Sequence, residues 1–183
     1  MKTSILCLLS LFYATACSQP KEEVQIEAEA SKYRHAPLVE NSYTADPSAH
    51  IFEGKIFIYP SHDIETEVVE DDMGSHFDMK DYHVFSMDKP GGRVTDHGVA
   101  LELEDVAWAG RQLWAPDAAV KDGKYYLYFP AKDKNDIFRI GVAVSDKPEG
   151  PFTAEPEPIK GTFSMDPAVF QEGNEYYLLF GGI

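Results

Sequence analysis

Cysteine is scarce: two residues in 183, too few to build a disulfide framework. Long apolar runs are also missing. The stretch ILCLLSLFY (5–13) is far short of the ~20 residues a membrane-spanning helix needs. With Lys2 before it and ATAC (14–17) after it, this stretch has the layout of a secretory signal over residues 1–16. Basic residues are few, 16 Lys and Arg against 31 Asp and Glu, for a formal net charge of -15. Loss of Lys2 with the signal makes the balance more negative still. No basic stripe exists to neutralise phosphates, which excludes a nucleic-acid partner and leaves neutral ligands as the natural class. No helical period of useful length appears after residue 40.

Cys7 leaves with the signal, so Cys17 is the one cysteine of the mature chain. A single cysteine in an exported protein calls for an explanation. ATAC resembles the lipobox of bacterial lipoproteins, in which that cysteine becomes the lipidated first residue, although Ala14 stands where leucine is usual. The alternative is ordinary cleavage after Ala16, leaving a free thiol. Lipidation also accounts for the cysteine's place at the cleavage point. The expectation is an exported protein of the periplasm, outer membrane or cell surface, touching the membrane only through a lipid anchor. Residues 17–40 are polar and charged without a period and read as a tether; the domain proper is expected over 41–183.

What is present is a repeat of short strands. DPSAHIFEGKIFIYP begins at Asp46, DAAVKDGKYYLYFP at Asp117 and DPAVFQEGNEYYLLFGG at Asp166. Each sets an aspartate before a strand, a glycine turn and a second strand rich in aromatic residues. Pro47 is expected to open its strand rather than sit inside it. A second motif interleaves with the first: HVFSMDKPGG (83–92) is echoed by GVAVSDKPEG (141–150), a strand ending in an Asp-Lys-Pro turn. SHDIETEVVEDDMGSHFDMKD (61–81) lengthens the first repeat and reads as an acidic surface insertion. Two motifs recurring in one order indicate an all-β chain built of four-stranded blades, a β-propeller, rather than a sandwich. On this reading the chain contains two blades and part of a third.

The first strand of each propeller blade lines the central channel, so Asp46, Asp117 and Asp166 are expected to gather at one mouth. Converging carboxylates suit glycoside hydrolysis, where one activates water and a partner of raised pKa protonates the leaving oxygen. The structural alternative, that each aspartate caps a turn, stays open on spacing alone.

These segments carry a resemblance. TADPSAHIFEGKIFIYPSHD, WAPDAAVKDGKYYLYF, IGVAVSDKPEGPF and SMDPAVFQEGNEYYLLFGG resemble successive blades of the family 43 glycoside hydrolases, from about Tyr43 to Ile183. That family consists of five-bladed propellers and includes β-xylosidases, α-L-arabinofuranosidases and arabinanases. The resemblance implies an inverting glycosidase acting on arabinose- or xylose-containing plant cell-wall oligosaccharides or polysaccharides. It places Asp46 as general base and Asp166 as the carboxylate that tunes the acid's pKa and orients the sugar. Asp117 falls at an acidic position facing the pocket, either contacting substrate or supporting the channel mouth. The family's general acid is a glutamate of the fourth blade. This chain reaches only the third, so it is expected to be an N-terminal portion that hydrolyses little by itself. Glu172 and Glu175 flank the Gly173 turn, at the far end of the hairpin from Asp166, and cannot replace that acid.

Trp114 is the candidate stacking platform for a sugar face, with Trp108 the candidate for burial. The tyrosines of KYYLYF and EYYLLF are expected to pack between blades, and His50 to line the channel and meet substrate. His62 with Asp63, and His76 with Asp78, match no zinc spacing and read as solvated loop residues, so no metal ligand is assigned. No cofactor is certain, although the resemblance allows a structural calcium in a complete propeller. Rival readings are a non-catalytic surface glycan-binding lipoprotein and a related furanosidase propeller.

Overall fold

The structure, a computed structural model, describes residues 37–181. The signal, Cys17 and nearly all of the tether lie outside these residues. The described chain is built from strands, with a single 3-10 turn at Leu103–Asp105. The strands are β1 (Tyr43–Phe52), β2 (Lys55–Asp63), β3 (Asp81–Met87), β4 (Thr95–Glu102), β5 (Ala109–Arg111) and β6 (Asp117–Lys121), then β7 (Lys124–Asp133), β8 (Phe138–Ser145), β9 (Thr153–Ala154), β10 (Ala168–Glu172) and β11 (Glu175–Leu179).

Strands β1 to β4 form one sheet in chain order, every neighbour antiparallel. Strands β6 to β9 form a second meander of the same kind, with the short β5 pairing the far end of β7. The hairpin β10–β11 begins a third. These are two blades and the first half of another, in the order the sequence motifs indicate. The blade turns also fall where expected: Phe52 pairs with Lys55 around Glu53–Gly54, and Glu172 with Glu175 around Gly173.

One expectation needs correction. Pro47 does not open β1 but lies within it, because pairing begins at Tyr43 and resumes at Ser48 after a register shift. β1 is an edge strand and Asp46–Pro47 forms its bulge, so the missing proline N–H breaks no ladder. The bulge re-aims Asp46, which takes a positive φ of 46°.

The core lies between the first two blades. Phe52, Phe57, Tyr59, Tyr82 and Val84 from the first meet Tyr125, Leu127 and Phe129 from the second. Trp108 is buried there, stacked on Phe129 with ring centroids 6.0 Å apart. Gly141 makes this stack fit, since a Cβ at that position would lie 2.6 Å from both Phe129 and Trp108. The tyrosines tie blade to blade. Tyr125 packs edge-on against Phe52 and donates to the Glu53 carboxylate at 2.8 Å, and Tyr176 donates to the Val120 carbonyl at 2.9 Å. Alternation on β7 (Tyr125, Leu127, Phe129 inward) thus becomes inter-blade packing.

The acidic insertion is also only partly a surface feature. Residues 67–73 are exposed, but 61–63 belong to β2 and the second half is pinned to the lead-in of the second blade. Gln112 donates its amide to the Gly74 carbonyl at 2.9 Å, the Trp114 indole N–H donates to the Phe77 carbonyl at 2.8 Å, and the Leu113 N–H donates to the Met79 carbonyl at 3.0 Å. His62 is not a loop residue either. It belongs to β2, and its partner is Asp81, at 2.6 Å, rather than Asp63. His76 is half-buried against Phe77, ring centroids 4.0 Å apart.

Candidate active site

The three aspartate-led lead-ins converge on one cavity of about 1030 Å³. The β1 bulge contributes Ala45 to Ser48, the approach to β6 contributes Trp114 to Asp117, and the approach to β10 contributes Met165 to Ala168. The fourth wall is the insertion, through Asp72, Met73, Gly74, Phe77 and Met79, with Asp63 at the end of β2. Asp46, Asp117 and Asp166 therefore meet in space although each starts a different repeat.

They meet in two different ways. Asp46 and Asp166 both precede a proline and both have left-handed backbones, φ 46° and 57°. The residue before a proline avoids helical conformations, and non-glycine residues seldom have positive φ. Two such residues at equivalent points of two blades are strained in the same way, a feature that clusters at functional sites. Both are exposed, and neither carboxylate makes a side-chain hydrogen bond among the described residues.

Asp117 is the contrast. It is buried at 7 % exposure and both its oxygens are engaged: His50 Nε2–H donates to one at 2.6 Å and the Val169 N–H to the other at 2.6 Å. Burial by itself would push this carboxyl up. The donors from His50, Val169 and Ala118 outweigh that and hold it below the usual carboxylate range. His50 is on β1 and Val169 on β10, so one side chain joins the first, second and third sheets at the cavity wall. His50 itself is stacked on Phe52 and reaches the cavity through Asp117 rather than lining it.

The electrostatics follow from burial and crowding. Asp166 is pushed above the ordinary range, first by desolvation and then by the charge of Asp46. Asp63 is raised for the same two reasons, against a smaller lowering by His62. Two carboxyls with their pKa values raised, Asp63 and Asp166, thus share the cavity with Asp46.

Trp114 lines the apolar side, its indole N–H fixed by Phe77 and its ring packed on Phe138 at 4.8 Å. Gly74 lets the insertion approach, because a Cβ there would lie 3.1 Å from the Trp114 ring. The sequence reading missed Asp63, the insertion wall and Ser48. Ser48 lines the cavity with a buried hydroxyl that has no hydrogen-bond partner among the described residues. The bulge proline was the available signal for Ser48; for Asp63 and the insertion no local signal existed.

Among the described residues, His62, Asp81 and His83 are the one group of three potential ligands lying within 4.8 Å of one another. Two imidazoles and one carboxylate do not suit calcium, which takes 6–8 oxygen ligands. This group therefore does not fit the structural calcium that the resemblance allows.

Residues 93–183 match the model of the glycosyl hydrolases family 43. A xylosidase/arabinosidase 43A of Humicola insolens is 66 % identical over 81 % of this chain, and a xylosidase/arabinosidase of Bacteroides ovatus is 61 % identical over 80 %. The chain spans about half the length of these relatives, 46 % of each. Among solved structures, a β-xylosidase/α-arabinofuranosidase from a compost metagenome, described as calcium-free and complexed with xylotriose, superposes with a TM-score of 0.79 at 70 % identity. That match covers 81 % of this chain and 45 % of the other. A family enzyme from Xanthomonas citri complexed with xylose gives 0.75 at 56 % identity, over 87 % of this chain and 46 % of its own. Their five-bladed propellers account for the two meanders and the opening hairpin seen here. With the blade order, the converging aspartates and these matches in agreement, the chain belongs to family 43 of the glycosyl hydrolases.

Proposed function

We propose that this chain carries the water-activating side of an inverting glycosidase site for xylose- or arabinose-containing oligosaccharides of the plant cell wall. The observation that carries the reading is the pairing of Asp46 and Asp166, in matching strained backbones from two blades, across one cavity walled by Trp114. Asp46 has no competing side-chain hydrogen bond among the described residues and takes the proton of a water attacking the anomeric carbon from the face opposite the leaving group. Asp166, its pKa raised by burial and by Asp46, orients the sugar and tunes the proton donor. The Trp114 ring stacks on the apolar face of the sugar, and the free Ser48 hydroxyl offers it a hydrogen bond. Asp117 and His50 hold the floor on which these groups stand. Proton donation falls, in this reading, to a glutamate of a fourth blade. The relatives' names and the xylotriose and xylose complexes support the substrate class.

Two measurements on the 183-residue chain test this. Xylotriose is expected to perturb tryptophan fluorescence saturably, with the response lost in Trp114→Ala and weakened in Asp166→Asn. Hydrolysis of nitrophenyl xyloside and arabinofuranoside is expected to run about 10²–10⁴-fold or more below a complete family member, for want of a positioned acid. No response to xylotriose or arabino-oligosaccharides would refute the site. Turnover within about tenfold of a complete enzyme would refute the assignment of the acid.

Export and lipid anchoring at Cys17 belong to the same proposal: a surface enzyme of polysaccharide breakdown, tethered by residues 17–40. Metabolic labelling with a fatty-acid analogue is expected to mark the chain and to fail in Cys17→Ser; equal labelling of both would refute it.

A further inference from the structure

One group of side chains on the first blade has no part in the hydrolytic reading. The antiparallel register that pairs Ile58 with Phe85 brings the end of β2 to the start of β3. His62 then meets Asp81, and His83 follows two residues along β3 on the same face. His62 Nδ1 lies 2.6 Å from Asp81 Oδ1 and His83 Nε2 lies 3.8 Å from the same oxygen. The two rings are 4.8 Å apart, and the donor atoms of all three residues fall within 4.8 Å of one another.

The second nitrogen of His83 is also accounted for. His83 Nδ1–H donates to Asp96 Oδ1 at 3.3 Å, and the Gly98 N–H at 2.8 Å fixes the same oxygen. In the neutral imidazole this leaves Nε2 with its lone pair towards Asp81. A carboxylate holding the outer nitrogen of a histidine whose inner nitrogen faces a shared point is the arrangement that surrounds metal-bound histidines. The side chains of His62, Asp81 and His83 are 18–22 % exposed, half-buried but open enough for water to complete a shell.

We propose that His62, Asp81 and His83 bind a divalent transition-metal ion of the zinc class, with water as the fourth ligand and Asp96 as the positioning residue. The donor set decides the class: two imidazoles and one carboxylate suit zinc, cobalt or nickel, whereas calcium and magnesium prefer oxygen alone. Zinc at its usual bond lengths holds neighbouring ligand atoms roughly 3.3 Å apart. The separations of 2.6 and 3.8 Å to Asp81 bracket that value, and the ligand atoms of the two histidines lie within 4.8 Å, so the imidazoles close up by about 1.5 Å at most to admit the ion. The ion replaces the proton His62 Nδ1 shares with Asp81. It ties β2 to β3, and through Asp96 to β4, beside Asp63 at the cavity wall.

The test uses the full chain freed of metal, with Zn²⁺ titrated calorimetrically and Co²⁺ as an absorbing probe. One equivalent is expected to bind, to give the intense visible bands of four-coordinate cobalt, and to resist competition by excess Ca²⁺. His62→Gln and His83→Gln, which keep volume and polarity, are each expected to lose at least about 100-fold in affinity, and Asp96→Asn about 10–100-fold at unchanged stoichiometry. Circular dichroism of the metal-free variants confirms their fold; should either histidine variant unfold, cobalt bands perturbed in Asp96→Asn alone decide the matter. Cys17 and His35 are other soft donors of the chain. Binding unchanged in the His62→Gln/His83→Gln double variant would place the ion there and overturn the proposal. So would no binding at about 100 µM Zn²⁺, roughly 1,000-fold or more above the dissociation constants of structural zinc sites in small proteins.

Discussion

Replacing Asp117 separates the two ways an aspartate can serve at this cavity. Its carboxylate is buried and accepts from His50 and from the Val169 N–H, both at 2.6 Å. In Asp117→Ala two buried donors lose their acceptor at once. Each stranded donor costs about 1–3 kcal/mol, so the loss is about 2–5 kcal/mol after partial relaxation. For a domain of this size that corresponds to a fall in melting temperature of roughly 5–15 °C. Asp117→Asn behaves differently. The amide oxygen can keep the Val169 N–H, while the amide NH₂ donates to His50 once its imidazole changes tautomer. Both hydrogen bonds survive and only the charge is lost, for about 1 kcal/mol. The pH dependence has a definite sign. Asp117 is held below the usual range, so its contribution is complete above pH ~4 and is lost as pH falls through the folded value. Asp117→Asn is therefore expected to flatten the acid limb of the stability curve at a cost of only about 1 kcal/mol at pH 7. Urea unfolding followed by tryptophan fluorescence between pH 3 and pH 7 measures all of this. Asp117→Ala within about 0.5 kcal/mol of the parent would show that the cross-blade tie does not exist in solution.

Three further outcomes are expected. Asp46→Asn removes the charge that helps raise Asp166, so the Asp166 carboxyl titrates closer to the ordinary range in carbon-detected NMR; an unmoved midpoint would mean the two do not face each other. For the parent, the same raised value means that Asp166 makes the fold less stable as pH rises from about 4 towards it, the opposite sign to Asp117. Gly141→Ala drives a methyl into Phe129 and Trp108 at 2.6 Å and is expected to destabilise by about 1–3 kcal/mol in urea, against a small gain from backbone stiffening. Trp114→Phe keeps an aromatic face but loses the hydrogen bond to the Phe77 carbonyl, so the insertion is expected to become more open to proteolysis near Phe77 while weak xylotriose binding persists.

Much of the fold was legible because a blade is a local object. Each strand pairs with its sequence neighbour, so alternation and turn chemistry suffice to find the hairpins around Glu53–Gly54 and Gly173. Pro47 misled because its effect depends on what lies across from it: on an interior ladder it would have ended the strand, but on an edge it makes a bulge. The insertion misled for a related reason. Its acidic first half carries the composition of a surface loop, while its second half is held by Gln112 and Trp114, residues of the next blade.

The sequence by itself determined the strands, the blade order and the three aspartates that open the blades, since these rest on short-range pattern and on residues that can be read one repeat at a time. Tertiary structure decided what those aspartates became. Asp46 and Asp166 were left strained and free at the cavity, whereas Asp117 was consumed by His50 and Val169, partners on two other sheets. It also set His62 against Asp81 and His83, and turned an acidic loop into a wall. The physical reason is the same each time: hydrogen-bond acceptors and charges take their meaning from whatever the packing of blades brings within about 3 Å of them, and no spacing along the chain carries that distance.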